Sequence, residues 1–226
     1  VANFKYPYVL QIWLTYLTKF VNRFKGTKLE RARDLFEQAL DKCPADTSPQ
    51  LFLLYAKLEE EHGLMRNAMA IYQRGVDSVA IDKRLELYNI YIAKAAEYFG
   101  VTKTRDIYES AINALPANLV TSMCVRYANL ERKLGEIDRA RAIYMHGAQQ
   151  VDPDRDENKY WQNWNDFEVA SGNEDTFREM LRIKRSVKAV FANAAVQAPR
   201  PGDKRKEREN TDGNSGAAGP QGDSMA

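Results

Sequence analysis

The feature that most constrains this chain is a period of 36 residues. Five segments start at positions 32, 68, 104, 140 and 176. The clearest copies read small-Arg-x-x-aromatic: Ala32-Arg33-Asp34-Leu35-Phe36, Thr104-Arg105-Asp106-Ile107-Tyr108 and Ala140-Arg141-Ala142-Ile143-Tyr144. Ala68-Met69-Ala70-Ile71-Tyr72 keeps the small and aromatic residues, and Thr176-Phe177-Arg178-Glu179-Met180 is a degenerate fifth copy. A second ladder of small residues runs in register, through Ala39, Gly75, Ala111 and Gly147, with Ile183 out of pattern. A glycine inside a helix costs about 1 kcal/mol relative to alanine, so Gly75 and Gly147 imply close packing or a helix end. Self-similarity at this period is the mark of a solenoid.

Upstream of each copy lies another periodic element. Its best forms are Phe52, Tyr55, Leu58, Glu59 and Trp161, Trp164, Phe167, Glu168. Cys124, Tyr127, Leu130 and Glu131 follow with one substitution, Trp13, Tyr16 and Phe20 form the first copy, and Tyr88 and Tyr91 the third. Apolar residues at i, i+3, i+4 and i+7 make a helical stripe. Gly26, Gly63, Gly100, Gly135 and Gly172 separate the two elements, as expected of a residue that closes helices at positive φ. Pro44, Pro116 and Pro153 follow the second element in three copies, where a helix must stop. Each unit is therefore predicted to be helix A, a Gly turn, helix B and a turn that often carries Pro.

One helix pair cannot bury its own apolar face, whereas stacked pairs share a continuous core. The predicted fold is all-α: a right-handed α-α superhelix, a solenoid of about five helix pairs with a concave and a convex surface. The array is expected over residues 1–191, with a degenerate last pair that ends in a basic helix. A disordered, low-complexity tail is expected over 192–226. From residue 198 onward the composition is Gly, Pro, Ser, Asn, Ala and charge with no aromatic residue, too little apolar surface to offset ordering entropy. The chain enters a helical pattern almost at its first residue, Val1, and reads as a piece of a longer protein cut within an array.

The charge balance of 33 basic and 31 acidic residues, net +2, argues against a general nucleic-acid coat. Cys43 and Cys124 lie far apart without a CxxC partner and read as reduced thiols, Cys124 at a core position of the repeat. No run approaches 18 apolar residues, so no transmembrane helix is expected.

No catalytic, cofactor-binding or metal-binding residue is expected. His62 and His146 fall in different repeats without a carboxylate or cysteine pattern, and no GxSxG, HExxH or P-loop motif occurs. Glu59-Glu60-Glu61 is expected to be a solvated helix end, with Glu59 holding the repeat position. Trp161 and Trp164 match Phe52 and Tyr55 in the core register and read as packing rather than a platform for bases. The last helix carries five basic residues and one acid between Arg178 and Lys188. Two readings stay open for it: a solvated face, or a ridge that meets RNA or an acidic partner. Lys204-Arg205-Lys206-Glu207-Arg208 leaves two readings as well, an ordinary tail cluster or a nuclear-import signal.

The combination of aromatic-x-x-Tyr/Trp-x-x-x-Glu on helix A with Ala-Arg-x-Ile-Tyr-x-x-Ala/Gly on helix B resembles the HAT (half-a-TPR) repeat, over about residues 8–191. The stretches Tyr160-Trp161-Gln162-Asn163-Trp164-Asn165-Asp166-Phe167-Glu168 and Phe177-Arg178-Glu179-Met180-Leu181-Arg182-Ile183-Lys184-Arg185-Ser186-Val187 resemble the Syf-type pre-mRNA-splicing factors, the XPA-binding protein family. The chain departs from the pattern at Ala95, which stands in place of the Glu, and in the fifth helix B, which lacks the small-Arg pair. The resemblance implies the C-terminal part of a nuclear, non-enzymatic spliceosome scaffold for protein–protein interaction. The implied partners are a crooked-neck-like HAT protein, the Prp19-associated complex and an Aquarius-type helicase of the intron-binding complex. It also implies a link to transcription-coupled DNA repair, known for one family member. The alternatives are an RNA-binding helical-repeat protein and a HAT-mediated homodimer in another RNA-processing complex.

Overall fold

The computed structural model describes residues 9–44, 49–156 and 159–197. Among the described residues there are ten α-helices, one 3-10 turn at Val101–Lys103, and no strand. The helices are α1 (Leu10–Phe24), α2 (Leu29–Lys42), α3 (Pro49–Glu61), α4 (Met65–Ser78), α5 (Ile81–Phe99), α6 (Thr104–Ala114), α7 (Ala117–Lys133), α8 (Ile137–Ala148), α9 (Tyr160–Ser171) and α10 (Glu174–Gln197). They form five successive A/B pairs. Each helix packs on the next one along the chain, and α7 meets α9 and α8 meets α10 across a pair boundary. The core is one continuous cluster from Trp13 to Val187. This stacking of neighbours is the helical solenoid that the period predicts.

The turns inside the pairs follow from backbone geometry. Gly63 and Gly135 have φ of 74° and 84°. At the first, the Leu64 N–H donates to the Glu59 carbonyl and the Gly63 N–H to that of Glu60; at the second, the Glu136 N–H donates to the Glu131 carbonyl and the Gly135 N–H to that of Arg132. Both are Schellman closures, which need a left-handed residue at this place. Gly172 is different. The sequence places it in the same column, but its φ is −95°, a conformation open to any residue. Space is the constraint there, because a Cβ would run into the Glu168 carboxylate.

The ladder of small residues is a set of close approaches. Ala39 and Ala111 are fully buried. A Cβ on Gly75 would sit 3.0 Å from the Leu87 side chain and 3.1 Å from the Phe52 ring, and one on Gly147 would sit 2.6 Å from the Tyr160 hydroxyl.

The expected array boundary at residue 191 falls inside α10, which continues to Gln197. Ala192-Asn193-Ala194-Ala195-Val196-Gln197 holds no breaker. Alanine is the strongest helix former, and the first residue that must end the helix is Pro199. Residues 198–226, including Lys204–Arg208, lie outside the described residues.

Candidate interaction surface

The two halves of the repeat motif meet across pair boundaries. The helix-B aromatic stacks on the helix-A aromatic of the next pair at every described junction. Phe36–Tyr55 lies at 4.8 Å between ring centroids, Tyr72–Tyr91 at 5.7 Å, Tyr108–Tyr127 at 4.9 Å and Tyr144–Trp164 at 5.9 Å, with interplanar angles from 2° to 20°. Burial pushes Tyr55, Tyr127 and Tyr144 up to about 12.

Beside three of these stacks lies an ion pair. Arg33, Arg105 and Arg141 each present Nε and Nη2 side-on to the two oxygens of Glu59, Glu131 and Glu168. The distances are 2.7 and 2.7 Å, 2.8 and 2.8 Å, and 2.9 and 3.2 Å. The three glutamate side chains are at most 1% exposed. A carboxylate out of water is costly unless its lone pairs are filled, and the planar guanidinium fills two at once. Burial alone would raise Glu59, but the hydrogen bonds from Arg33 and Asn67 outweigh it and hold the carboxyl below its usual range.

The exception is informative. At the junction of the second and third pairs, Met69 stands at the Arg position and Ala95 at the Glu position. Both line one cavity with Tyr91 and Phe99. The charge has been removed from both sides together, so neither is left unpaired. Next to it, Glu60 accepts hydrogen bonds from the hydroxyls of Tyr72 (2.9 Å) and Tyr98 (3.1 Å) and pairs with Lys94 (3.4 Å). The run Glu59-Glu60-Glu61 is thus not one solvated end: Glu59 is buried, Glu60 is half-buried in this network, and Glu61 is exposed. Phe177 occupies the Arg position in α10, which has no following helix A among the described residues.

Trp161 and Trp164 are 3% and 1% exposed, so neither offers a face to a base. Cys124 is fully buried, and burial pushes its thiol up to about 11. Cys43 is buried as well, and both thiols are free. His62 holds the Leu58 carbonyl through Nδ1 at 2.7 Å, which requires the proton on Nδ1, and its ring fills the space over Gly26. His146 is exposed on α8 in the shallow groove that Glu109 and Arg139 also line. Among the described residues no group of three or more His, Cys, Asp or Glu is arranged to hold a metal ion, and no helix is long and apolar enough to cross a membrane.

The basic helix is largely neutralised at home. Arg178 pairs with Glu174, Arg182 with Glu179 at 2.6 Å, and Lys188 with Asp154 at 2.7 Å in the loop between α8 and α9. Lys184 lies 5.8 Å from the centre of the Trp161 ring. Arg185 is exposed, on the same turn as these partnered residues. The observed pairs give the solvated-face reading its support.

The C-terminal HAT-repeat model of the pre-mRNA-splicing factors Syf1 and CRNKL1 matches residues 1–226. The chain belongs to the Syf1/CRNKL1 C-terminal HAT-repeat family. Over 191 residues, 84% of its length, it is 58% identical to the pre-mRNA-splicing factor syf1 homolog of Drosophila melanogaster and 56% identical to SYF1 of Homo sapiens. It is 59% identical, over the same share, to SYF1 of Mycosarcoma maydis. The matched region spans 22% of the fly and human proteins and 18% of the fungal one. The Arg–Glu clamps and aromatic stacks are therefore the joints of a HAT array.

Proposed function

We propose that this chain is a segment of a nuclear spliceosome scaffold that holds other splicing proteins along its stacked helix pairs and turns over no substrate. The observation that carries the reading is identity of 56–59% over 191 residues to splicing factors named SYF1 or syf1 homolog. The repeat architecture supports it: a solenoid presents an extended surface rather than a closed cleft. The resemblance names as partners a crooked-neck-like HAT protein, the Prp19-associated complex and an Aquarius-type helicase, and a transcription-coupled repair role belongs to the same proposal. Direct RNA binding is the weaker reading, because four of the five basic residues of α10 already face carboxylates or a ring.

Affinity purification of the full-length protein from nuclear extract, followed by mass spectrometry, tests the reading. Recovery of spliceosome subunits is the expected outcome. Recovery of an unrelated assembly without them would overturn it.

A further inference from the structure

Helices B of neighbouring pairs run side by side, and the trough between them is polar between α2 and α4 and between α6 and α8. Between α2 and α4, Glu37 on one helix takes a two-pronged ion pair from Arg74 on the next, both contacts at 2.8 Å. The trough between α6 and α8 is lined by Arg105, Asp106, Glu109, Asn113, Arg139 and His146, among others. The position of Glu37 recurs every 36 residues as Gln73, Glu109 and Met145. The position of Arg74 recurs as Ser110, His146 and Arg182. At α8 and α10 the cross-pair polar contact is therefore replaced by Met145 facing Arg182, and Arg182 turns back to Glu179 on its own helix.

What remains is an open groove of about 750 Å³ lined by Met145, Ile183, Val187, Val190 and Phe191, together with the polar Gln149, Arg182 and Ser186. Ile183, Val187, Val190 and Phe191 are at i, i+4, i+7 and i+8, a stripe of about 12 Å along α10. Met145 is 37% exposed and Val190 63%. The inner side of this trough is filled by α9, which packs on both helices; among the described residues the outer side is open. No carboxylate lines the groove.

We propose that this groove docks an amphipathic helix of another protein, with an apolar stripe on one face and acidic residues on its flanks. Two parallel ridges with an apolar floor are the shape that receives such a helix. Arg182 is the one charged residue that lines the groove, and its exposed pair with Glu179 uses Nε and Nη2, which leaves Nη1 to a carboxylate on an acidic flank. A second copy fits poorly, because α1, the helix at the opposite end of the described array, carries Lys19 and Arg23 and no acid. Residues 198–226 of the chain hold a single large apolar residue, Met225, too few to fill the groove. The proposal gives the scaffold reading a surface, but its test does not depend on splicing.

The test uses the whole chain and three fluorescent peptides, read by anisotropy near physiological salt. Two are synthetic 20-residue helices with Leu at i, i+3, i+4 and i+7, one with Glu and one with Lys on the remaining faces; the third is residues 198–226. The variant Met145→Glu restores the residue that two earlier repeats carry and recreates the Glu37–Arg74 type of pair, so it closes the groove without removing core. Val190→Glu is the second variant, at an exposed position. The expected result is saturable binding of the Glu peptide, at least tenfold weaker in both variants, and at least tenfold weaker for the Lys peptide and for 198–226. Absence of Glu-peptide binding, equal binding of both synthetic peptides, or binding unchanged in both variants would overturn the proposal. So would a dimer in sedimentation equilibrium that Met145→Glu dissociates, since the occupant would then be a second copy. A failed affinity purification with a successful peptide titration would remove the splicing reading and leave the groove.

Discussion

At the scale of single residues, the paired loss of Arg and Glu at Met69 and Ala95 says how the buried clamps work. An ion pair with a carboxylate 1% exposed adds little over a well-packed apolar pair, but half of one is expensive. Arg33→Met should lower stability by about 3 kcal/mol, because it leaves Glu59 with only Asn67 as a donor. Adding Glu59→Ala should recover most of that loss, since the double variant copies the junction that the chain already has between its second and third pairs. Urea unfolding of the three proteins measures this; a double variant weaker than the single would contradict it. The same pair sets an acid limit. Glu59 is held below the usual carboxyl value of about 4.3. The folded state therefore binds its proton later than the unfolded state as pH falls. The clamp's stabilisation is full above the unfolded value and is lost as pH drops through the folded one. Unfolding midpoints between pH 6 and pH 3 should fall less steeply in the double variant than in the natural chain.

At the scale of elements, glycines that look alike in the sequence do different things. Gly135 has φ of 84° and open space around a would-be Cβ. Gly135→Ala should cost roughly 1 kcal/mol, the left-handed backbone penalty of an L-residue. Gly147 sits within α8, so Gly147→Ala gains helix propensity of about 1 kcal/mol but must push the Tyr160 hydroxyl off its 2.6 Å bond to the Tyr144 carbonyl. Overpacking of this kind costs about 1–3 kcal/mol, and the net sign should be destabilising. Tyr160→Phe removes the clashing oxygen, so it should cost less in the Gly147→Ala background than in the natural chain. Thermal melts of the four proteins read the coupling, and strict additivity would show that the hydroxyl is not the obstacle. The column of glycines was legible in the sequence because a period exposes it. The reason behind each one was not, since φ at Gly172 and the neighbours of Gly147 depend on which helices meet. The same holds for the clamps. The Arg and Glu columns stand out in single repeats, yet only the stacking of pairs shows that one column binds the other and that Met69 and Ala95 are a single event. The change at residue 145 shows only when the exposed face of helix B is aligned from copy to copy, where Glu37, Gln73 and Glu109 give way to Met145.

At the scale of the whole molecule, the described helices touch their neighbours in the chain and little else, so stability should be a sum of pairs and junctions rather than one global quantity. Arg33→Met then has a local reach. Amide hydrogen exchange in that variant should rise in α1 to α3, on either side of the broken clamp, while α7 to α10 keep their protection, because their clamps at Glu131 and Glu168 and their aromatic stacks are untouched. Local opening with its own free energy is the usual behaviour of such units. A uniform rise from α1 to α10 would mean that the array unfolds as one body, and the junctions would then transmit strain over the length of the chain. The outcome also bears on the groove between α8 and α10. If opening stays local, a protein docked there protects α8 to α10 alone, and a Glu peptide bound at saturation should slow exchange in those helices and leave α1 to α3 as they were.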